Sequence, residues 1–253
     1  MSVLLVTGGS RGIGADIAKL ASERGWHVGV NYVSDEASAQ EVVKDIRSNG
    51  KKAVAVRADV ADPAGVAALF ESVEASLGPI TALVNNAGLA TTGMGKIEAL
   101  DFARTRRMFD VNVLGLLLCC QHAVRRMARC HGGSGGAIVN ISSSAARSGA
   151  PGRFEDYAAT KAAVDMLTIS LAKEQGPQGI RVNAVRPGII NTDMTAEVAA
   201  KDPTWLGRAI ADTPLGRIGE MRDVSTAVLW LLSDEARHTT GTIMDISGGR
   251  WTQ

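Results

Sequence analysis

The 253-residue chain lacks a dominant charge: 27 lysines and arginines stand against 26 aspartates and glutamates, leaving +1. A balance this even excludes the broad basic surface of a nucleic-acid or acidic-membrane binder, so neither partner is expected. Cysteine is scarce as well. The three present, Cys119, Cys120 and Cys130, form neither a CxxC pair nor a zinc spacing. An odd count suits a reducing compartment better than a disulfide framework, which makes the cytoplasm the expected location. The four histidines, His27, His122, His131 and His238, are scattered without ligand spacing, and no metal is expected in the chemistry. Long apolar runs are missing too. The leucine-rich stretch Val111 to Val124 is too short and, with Asn112, Gln121 and His122 inside it, too polar to span a bilayer. Met1 to Val6 is apolar, but it lacks a basic leader and runs straight into a glycine-rich motif, so it is not read as a signal peptide. No repeat, low-complexity tract or Pro/Ser linker divides the chain, and a single domain over residues 1–253 is expected.

What is present is an alternation of short β-branched runs with helical periodicity. Seven strands are read at Val3 to Val6, Val28 to Val30, Ala53 to Val56, Thr81 to Val84, Ala137 to Ile141, Arg181 to Val185 and Ile243 to Ile246. Each is mostly apolar, as strands are when crossover helices cover both faces of a parallel sheet, and the class is therefore α/β. Ile13, Ile17, Leu20 and Ala21 make the first helix stripe, with Gly25 where a left-handed residue ends it. Asp62-Pro63 is an N-cap followed by proline at N1, opening a helix with the stripe Val66, Leu69, Phe70, Val73 and Leu77 and closing at Gly78. Asp193 to Arg222, polar with Pro203 and Pro214, is read as a mobile excursion over the carboxyl edge of the sheet.

The first strand ends in Thr7-Gly8-Gly9-Ser10-Arg11-Gly12-Ile13-Gly14 and opens directly into the first helix. Glycines here let the backbone approach a ligand at a helix N-terminus, the arrangement that binds a dinucleotide pyrophosphate. After the second strand come Asn31-Tyr32-Val33-Ser34, where an NAD-preferring site places an acid for the adenosine ribose diol. Without that acid nothing repels a 2′-phosphate, and Arg11 is placed to reach one with a charge-assisted hydrogen bond, so NADP(H) is preferred over NAD(H). Asp59-Val60 follows the third strand, its carboxylate turned either to the adenine amino group or to capping the local turn. Asn85-Asn86-Ala87-Gly88 follows the fourth and puts small or amide residues at the same edge.

Tyr157 and Lys161 stand at i, i+4 near the start of a helix, so both emerge on one face. A free tyrosine titrates at about 10, and bringing it towards neutrality needs about 4 kcal/mol of phenolate stabilisation, which an ammonium in a partly dry cleft can supply. Such a tyrosine is able to protonate a carbonyl oxygen during hydride transfer, or to deprotonate an alcohol in reverse. Thr7-Gly8-x-x-x-Gly12-x-Gly14, Asn85-Asn86-Ala87-Gly88, Asn112, Ser142-Ser143-Ser144, Tyr157-x-x-x-Lys161 and Pro187-Gly188 occur in the order and approximate spacing of the short-chain dehydrogenase/reductase family, which the chain resembles along its whole length. The resemblance implies a doubly wound Rossmann fold with a seven-stranded sheet, a nicotinamide cofactor and a homotetramer. It makes Tyr157 the general acid/base, and makes Lys161 both the group that lowers the tyrosine's pKa and a ligand of the nicotinamide ribose. It also assigns Ser143 to the substrate oxygen, Asn112 to a water in the proton relay, and Ile190 and Thr192, after Pro187-Gly188, to the nicotinamide carboxamide.

The triple serine leaves a register to choose. Ser143 lies one position further from Tyr157 than the commonest family spacing; aligning Ile138 to Ile141 as the strand favours Ser143, with Ser144 second and Ser142 third. Arg153, Phe154, Glu155 and Asp156 are expected to border the substrate mouth, and Trp205, Leu206 and Ile210 form an amphipathic stripe that is equally a lid or core. The nearest resemblances are to 3-oxoacyl-(acyl carrier protein) reductases and to sugar or alcohol dehydrogenases. Arg125, Arg126 and Arg129 are either a docking site for an acidic carrier protein or a solvated face, and Gln178 stands where those reductases place a second basic residue. A non-catalytic NADP(H) sensor on the same fold is the reading from another class, disfavoured because serine, tyrosine, lysine and asparagine are all present.

Overall fold

The computed structural model describes residues 2–90, 97–150 and 155–250. Seven parallel strands lie in the order β3-β2-β1-β4-β5-β6-β7. They are β1 (Val3–Val6), β2 (His27–Tyr32), β3 (Ala53–Arg57), β4 (Ala82–Asn85), β5 (Gly136–Ile141), β6 (Ile180–Pro187) and β7 (Ile243–Ile246). The crossovers are α1 (Gly12–Glu23), α2 (Glu36–Ser48), α3 (Pro63–Leu77), α4 (Phe102–Phe109) running through a π-helical turn (Asp110–Gly115) into α5 (Leu116–Met127), α6 (Ala145–Ser148), α7 (Glu155–Gln175), α8 (Asp193–Lys201), α9 (Trp205–Ala211) and α10 (Met221–Leu232). This is the expected doubly wound α/β sheet. The expected strands are all present, with β2, β3, β5 and β6 each running one to three residues further at their ends.

Strand alternation divides the core in two. Leu4, Val6, Val28, Val30, Val84 and Val139 point into one layer with Ile17, Val42, Ile46 and Val228 from α1, α2 and α10. Val3, Leu5, Leu83, Ile138 and Val182 point into the other, with Leu69 and Phe70 of α3, Cys119 of α5 and Val164 of α7. Asp62 caps α3 by accepting from the Ala64 N–H at 3.1 Å, with Pro63 at the first helical position, as the sequence requires. At Gly25 the chain leaves α1 with φ +97°, the left-handed conformation that glycine adopts without strain.

Strand order reverses at β1, with β2 on one side and β4 on the other, and ligands of open α/β sheets bind in the crevice beyond such a switch point. The excursion that follows β6 carries α8 and α9 and is closed at its base, where Asn191 N–H donates to Gly219 C=O at 2.8 Å and Gly219 N–H to Ile189 C=O at 2.9 Å. The segment after β7 supports its far end: Leu215 N–H donates to Gly248 C=O at 3.1 Å, and Arg250 pairs with Asp212 at 3.0 Å. Trp205, Leu206 and Ile210 are half-buried and Ala209 fully so, which makes α9 a packed flap rather than a free loop. No helix among the described residues is long and apolar enough to cross a membrane.

Phe70 is fully enclosed and also lies under the Arg126 guanidinium, 5.1 Å from its ring centroid. Phe70→Ala is expected to lower stability by about 3–5 kcal/mol, through lost burial and the cavity left behind, as urea unfolding will measure.

Candidate active site

The glycine-rich turn is held from three sides. Gly8 (φ +60°) donates its N–H to Asn31 Oδ1 at 3.1 Å, and Gly9 N–H donates to Asn31 C=O at 2.8 Å. Asn86 reaches across from the end of β4, its Nδ2 donating to Thr7 C=O at 3.1 Å and to Gly8 C=O at 2.8 Å. Thr7 Oγ1 in turn accepts from the N–H groups of Asn86 and Ala87 at 3.0 and 3.1 Å. A Cβ on Gly14 would lie 2.4 Å from both Asn86 Nδ2 and Gly8 O, so only glycine fits. Gly12 (φ +57°), by contrast, faces open space. Arg11, exposed at the N-cap of α1, makes no side-chain cap, and no acid stands in the first turn, so that turn's N–H groups and the positive end of the helix dipole are available to an anion. These features fit a dinucleotide pyrophosphate over Gly8, Ser10, Gly12, Ile13 and Gly14.

Around the adenosine end the side chains of Asn31 and Tyr32 both turn inward. Asn31 is fully buried, its Nδ2 donating to Ala58 C=O at 2.9 Å while Oδ1 holds the glycine turn. Tyr32 packs in the core. Both side chains brace the pocket rather than face it, and the exposed surface is left to Val33, Ser34 and Asp35. The acid missing from the end of β2 appears at Asp35, where it caps α2 through Ser38 N–H (2.9 Å) and Ser38 Oγ (2.7 Å). Those bonds hold its carboxyl below the usual range, with a smaller contribution from the charge of Arg11. Arg57, which the sequence does not single out, fixes this loop by donating Nε–H to Val33 C=O at 3.0 Å. For Asp59 the turn-capping alternative holds: Oδ1 accepts from Ala61 N–H at 3.0 Å, and Oδ2 pairs with Arg107. Val60 is buried.

At the chemical end, three elements meet. Ser143 and Tyr157 hydrogen-bond through their side chains. Ser142 Oγ instead donates to Lys161 C=O at 3.2 Å, and Ser144 is buried with its N–H on Pro187 C=O at 3.0 Å. Of the three serines, Ser143 meets the tyrosine. Lys161 is buried, donates Nζ–H to Ile141 C=O at 2.7 Å and lies 5.6 Å from the Tyr157 ring centroid. Gly88 lies close against it: a Cβ there would be 3.6 Å from Lys161 Nζ and 3.4 Å from Asn112 Oδ1.

Burial brings Lys161 down to about 8, against an upward pull from Asp165. Burial also holds the Tyr157 phenol above its ordinary value, partly offset by the Ser143 bond. The expected lowering of Tyr157 by Lys161 is therefore outweighed by burial.

Asn112 sits on the π-helical turn, which breaks the regular helical ladder where a functional side chain must be turned inward. Its Oδ1 accepts from Leu89 N–H at 2.7 Å, and its Nδ2 donates to Leu89 C=O at 2.8 Å and Thr160 Oγ1 at 3.0 Å. Thr160 Oγ1–H donates onward to Tyr157 C=O at 2.7 Å. The side chain thus ties the π turn to the strand-β4 loop and to α7, a role the sequence does not reveal because Leu89 and Thr160 carry no signal of their own.

Gly188 N–H donates to Ile246 C=O at 2.9 Å, and a Cβ there would lie 2.8 Å from Ser247 Cα, which accounts for glycine after Pro187. Ile190 is buried, and Thr192 Oγ1 donates to its carbonyl at 3.4 Å. Arg153 and Phe154 lie outside the described residues. Asp156, expected at the mouth, is buried: it pairs with Arg104 at 2.8 Å, accepts from Thr105 Oγ1 at 3.0 Å and accepts from Tyr157 N–H at 2.8 Å.

The depressed Lys161 has a measurable signature. Folded, it loses its proton at about 8; unfolded, at its ordinary 10.5. Below that window both states are protonated and the cost of the buried ammonium is present in full. Within it only the unfolded chain keeps the proton, so the native protein gains stability as pH rises. The stability difference between Lys161→Met and the wild type is expected to change by about 3 kcal/mol in favour of the wild type between about pH 7 and pH 10.5, read by urea unfolding at each pH.

The comparisons agree with this geometry. Residues 8–250 match the family model described as Enoyl-(Acyl carrier protein) reductase. The chain is 46% identical over 250 residues to the uncharacterized oxidoreductase YgfF of Escherichia coli (strain K12), covering 99% of this chain and 100% of that one. It is 37% identical over 247 residues to the 3-oxoacyl-[acyl-carrier-protein] reductase FabG of Staphylococcus aureus (strain Mu50 / ATCC 700699), covering 98% and 97%. Among solved structures, a blue fluorescent protein from a metagenomic library in complex with NADPH aligns with a TM-score of 0.90 at 34% identity, covering 99% of this chain and 98% of that one. With the Ser143–Tyr157 pair, the buried Lys161 and the glycine turn in one crevice, the chain belongs to the short-chain dehydrogenase/reductase family of NAD(P)-dependent oxidoreductases.

Proposed function

We propose that this chain is an NADPH-dependent reductase that converts a ketone, a 3-oxoacyl thioester or another carbonyl compound, to a secondary alcohol, working in the cytoplasm as a homotetramer. The observation that carries the reading is the meeting of Ser143, Tyr157 and Lys161 in one crevice, where a phenol with a hydroxyl and an ammonium against it is placed to pass a proton to a carbonyl oxygen. The nicotinamide, when bound, supplies the hydride. Tyr157 then donates its proton to the oxygen that becomes the alcohol, and Ser143, hydrogen-bonded to the phenol, holds that oxygen against it. Lys161 places an ammonium beside the phenol ring and stabilises the charge that proton donation leaves there. Asn112 fixes the π turn, whose displaced backbone is the place for a relay water.

Support for NADPH comes from the adenosine end, where Arg11 is exposed beside the pocket and the nearest acid, Asp35, is tied to Ser38. NADPH in the complex of the blue fluorescent protein is consistent with this. Carrier-protein docking has weaker support. Arg126 pairs with Glu74 at 2.8 Å, and Gln178 Oε1 accepts from Cys130 N–H at 3.0 Å, which separates Arg125 and Arg129 into isolated charges. A free small ketone or thioester fits better. Assembly is supported by the apolar groove of about 670 Å³ where α5 meets α7, lined by Leu114, Leu117, Leu118, Val124 and Leu171, a face suited to a second copy of the chain.

NADPH and NADH consumption against acetoacetyl thioesters, small ketones and diketones, with aldoses tested in reverse, is the direct assay. Turnover favouring NADPH is expected, falling about 10²–10⁴-fold in Tyr157→Phe with NADPH affinity kept. Arg11→Gln is expected to weaken NADPH binding about tenfold and leave NADH unchanged, the worth of one charge-assisted hydrogen bond. Tight NADPH binding without turnover on any of these substrates would overturn the ketone and thioester reading and move weight to a substrate outside the panel or to a cofactor sensor.

A further inference from the structure

Lys161 is the innermost charge of a line that leaves the active site. One turn along α7 stands Asp165, also buried. From β6, Arg186 donates Nε–H and Nη2–H to the same oxygen, Asp165 Oδ2, at 2.9 and 2.7 Å. Asp245 lies beside Arg186 across the β6–β7 ladder, with Arg186 Nη1 at 3.9 Å from its Oδ1, and Arg147 of α6 donates to Asp245 Oδ2 at 3.1 Å. The charges alternate from Lys161 through Asp165, Arg186 and Asp245 to Arg147. Among the described residues, Asp165 Oδ1 and Asp245 Oδ1 are buried with no hydrogen-bond partner.

As a device for stability this is poor. Buried ion pairs are often matched by apolar residues of similar volume, and a half-satisfied carboxylate is costly. Both arginine donors crowd onto one oxygen of Asp165, and its other oxygen is buried without a hydrogen-bond donor, on the helix that carries Lys161.

We propose that Asp165, held by Arg186, is a positioning residue that keeps Lys161 in its ammonium form for proton transfer at Tyr157. The proposal rests on the catalytic reading above for its purpose, but not for its test. Lys161 is otherwise surrounded by the Ile141 carbonyl on β5, the Tyr157 ring on its own helix, and Gly88 and Asn112 from the facing loop and π turn. These offer it dipoles and a π face; Asp165 offers a full opposite charge.

Protein carrying ¹³C at the lysine ε-carbons reports the Lys161 titration by NMR without substrate or turnover, the resonance being assigned with Lys161→Met. In Asp165→Asn the loss of negative charge is expected to move the Lys161 midpoint down by about 1 pH unit, and Asp165→Glu to restore it. Arg186→Met, which removes the positive charge that compensates the Asp165 carboxylate, is expected to move it the opposite way, upward, and serves if the asparagine variant misfolds. A midpoint unchanged in folded Asp165→Asn and Arg186→Met overturns the proposal, whatever the substrate panel gives. Where turnover is found, the alkaline limb of kcat is expected to follow the Lys161 midpoint. A merely structural role would lower kcat evenly at all pH values.

Discussion

The joint between the ends of β1 and β4 is the constraint on which the rest of the molecule depends. Asn86 donates to two carbonyls of the glycine turn while Thr7 accepts two N–H groups of the β4 loop, so the two strand ends are stapled where the sheet order reverses. Each of these groups is largely withdrawn from water, and losing a partner would expose a desolvation cost of about 1–3 kcal/mol. The staple presses Gly8 and Gly14 against the amide and leaves Gly12 open, and so sets both the shape of the anion cradle and the direction in which α1 departs. The chain that leaves β4, whose Leu89 meets Asn112, starts from that joint.

A second line of hydrogen bonds connects the cradle to the chemistry. It runs from Leu89 to Asn112, from Asn112 to Thr160, and from Thr160 to the carbonyl of Tyr157. Through it the π turn and α7 are fixed to the loop beyond β4, and Tyr157 is placed by groups that do not touch the substrate. Preorganisation of this kind is effective because the surroundings are dry: each dipole acts at low effective dielectric and does not reorganise when the proton moves. The same dryness lifts the tyrosine and depresses the lysine, so their charge states depend on fixed neighbours rather than on solvent.

The fold was legible because parallel strands buried on both faces are apolar without a break, and because Asp62-Pro63, Gly25 and Gly78 mark helix ends by their backbone chemistry alone. The spacing of Tyr157 and Lys161 put them on one face of a helix, but singling them out took the other motifs in their order. Among the three serines only the strand alignment favoured Ser143, since a run of identical side chains at a strand end offers no internal clue to which one faces the helix. Asn31 and Tyr32 show the opposite difficulty. A polar residue at the carboxyl end of a strand looks the same in sequence whether it meets a ligand or the backbone of the neighbouring turn. The Asp165–Arg186 pair was invisible because its partners lie on different elements and neither belongs to a motif.

The closed base of the excursion after β6 has a consequence for how such a molecule diversifies. Ile189, Asn191 and Gly219 join the two ends of this segment by backbone bonds, and what lies between them is held to the rest of the molecule again where Leu215 and Asp212 meet the segment after β7. Lengthening a loop whose ends are already pinned changes its closure entropy only slowly with length. New α8 and α9 sequences that keep these holds leave the sheet, the cradle and the Ser143–Tyr157 pair in place, so this segment can vary separately from the rest of the crevice.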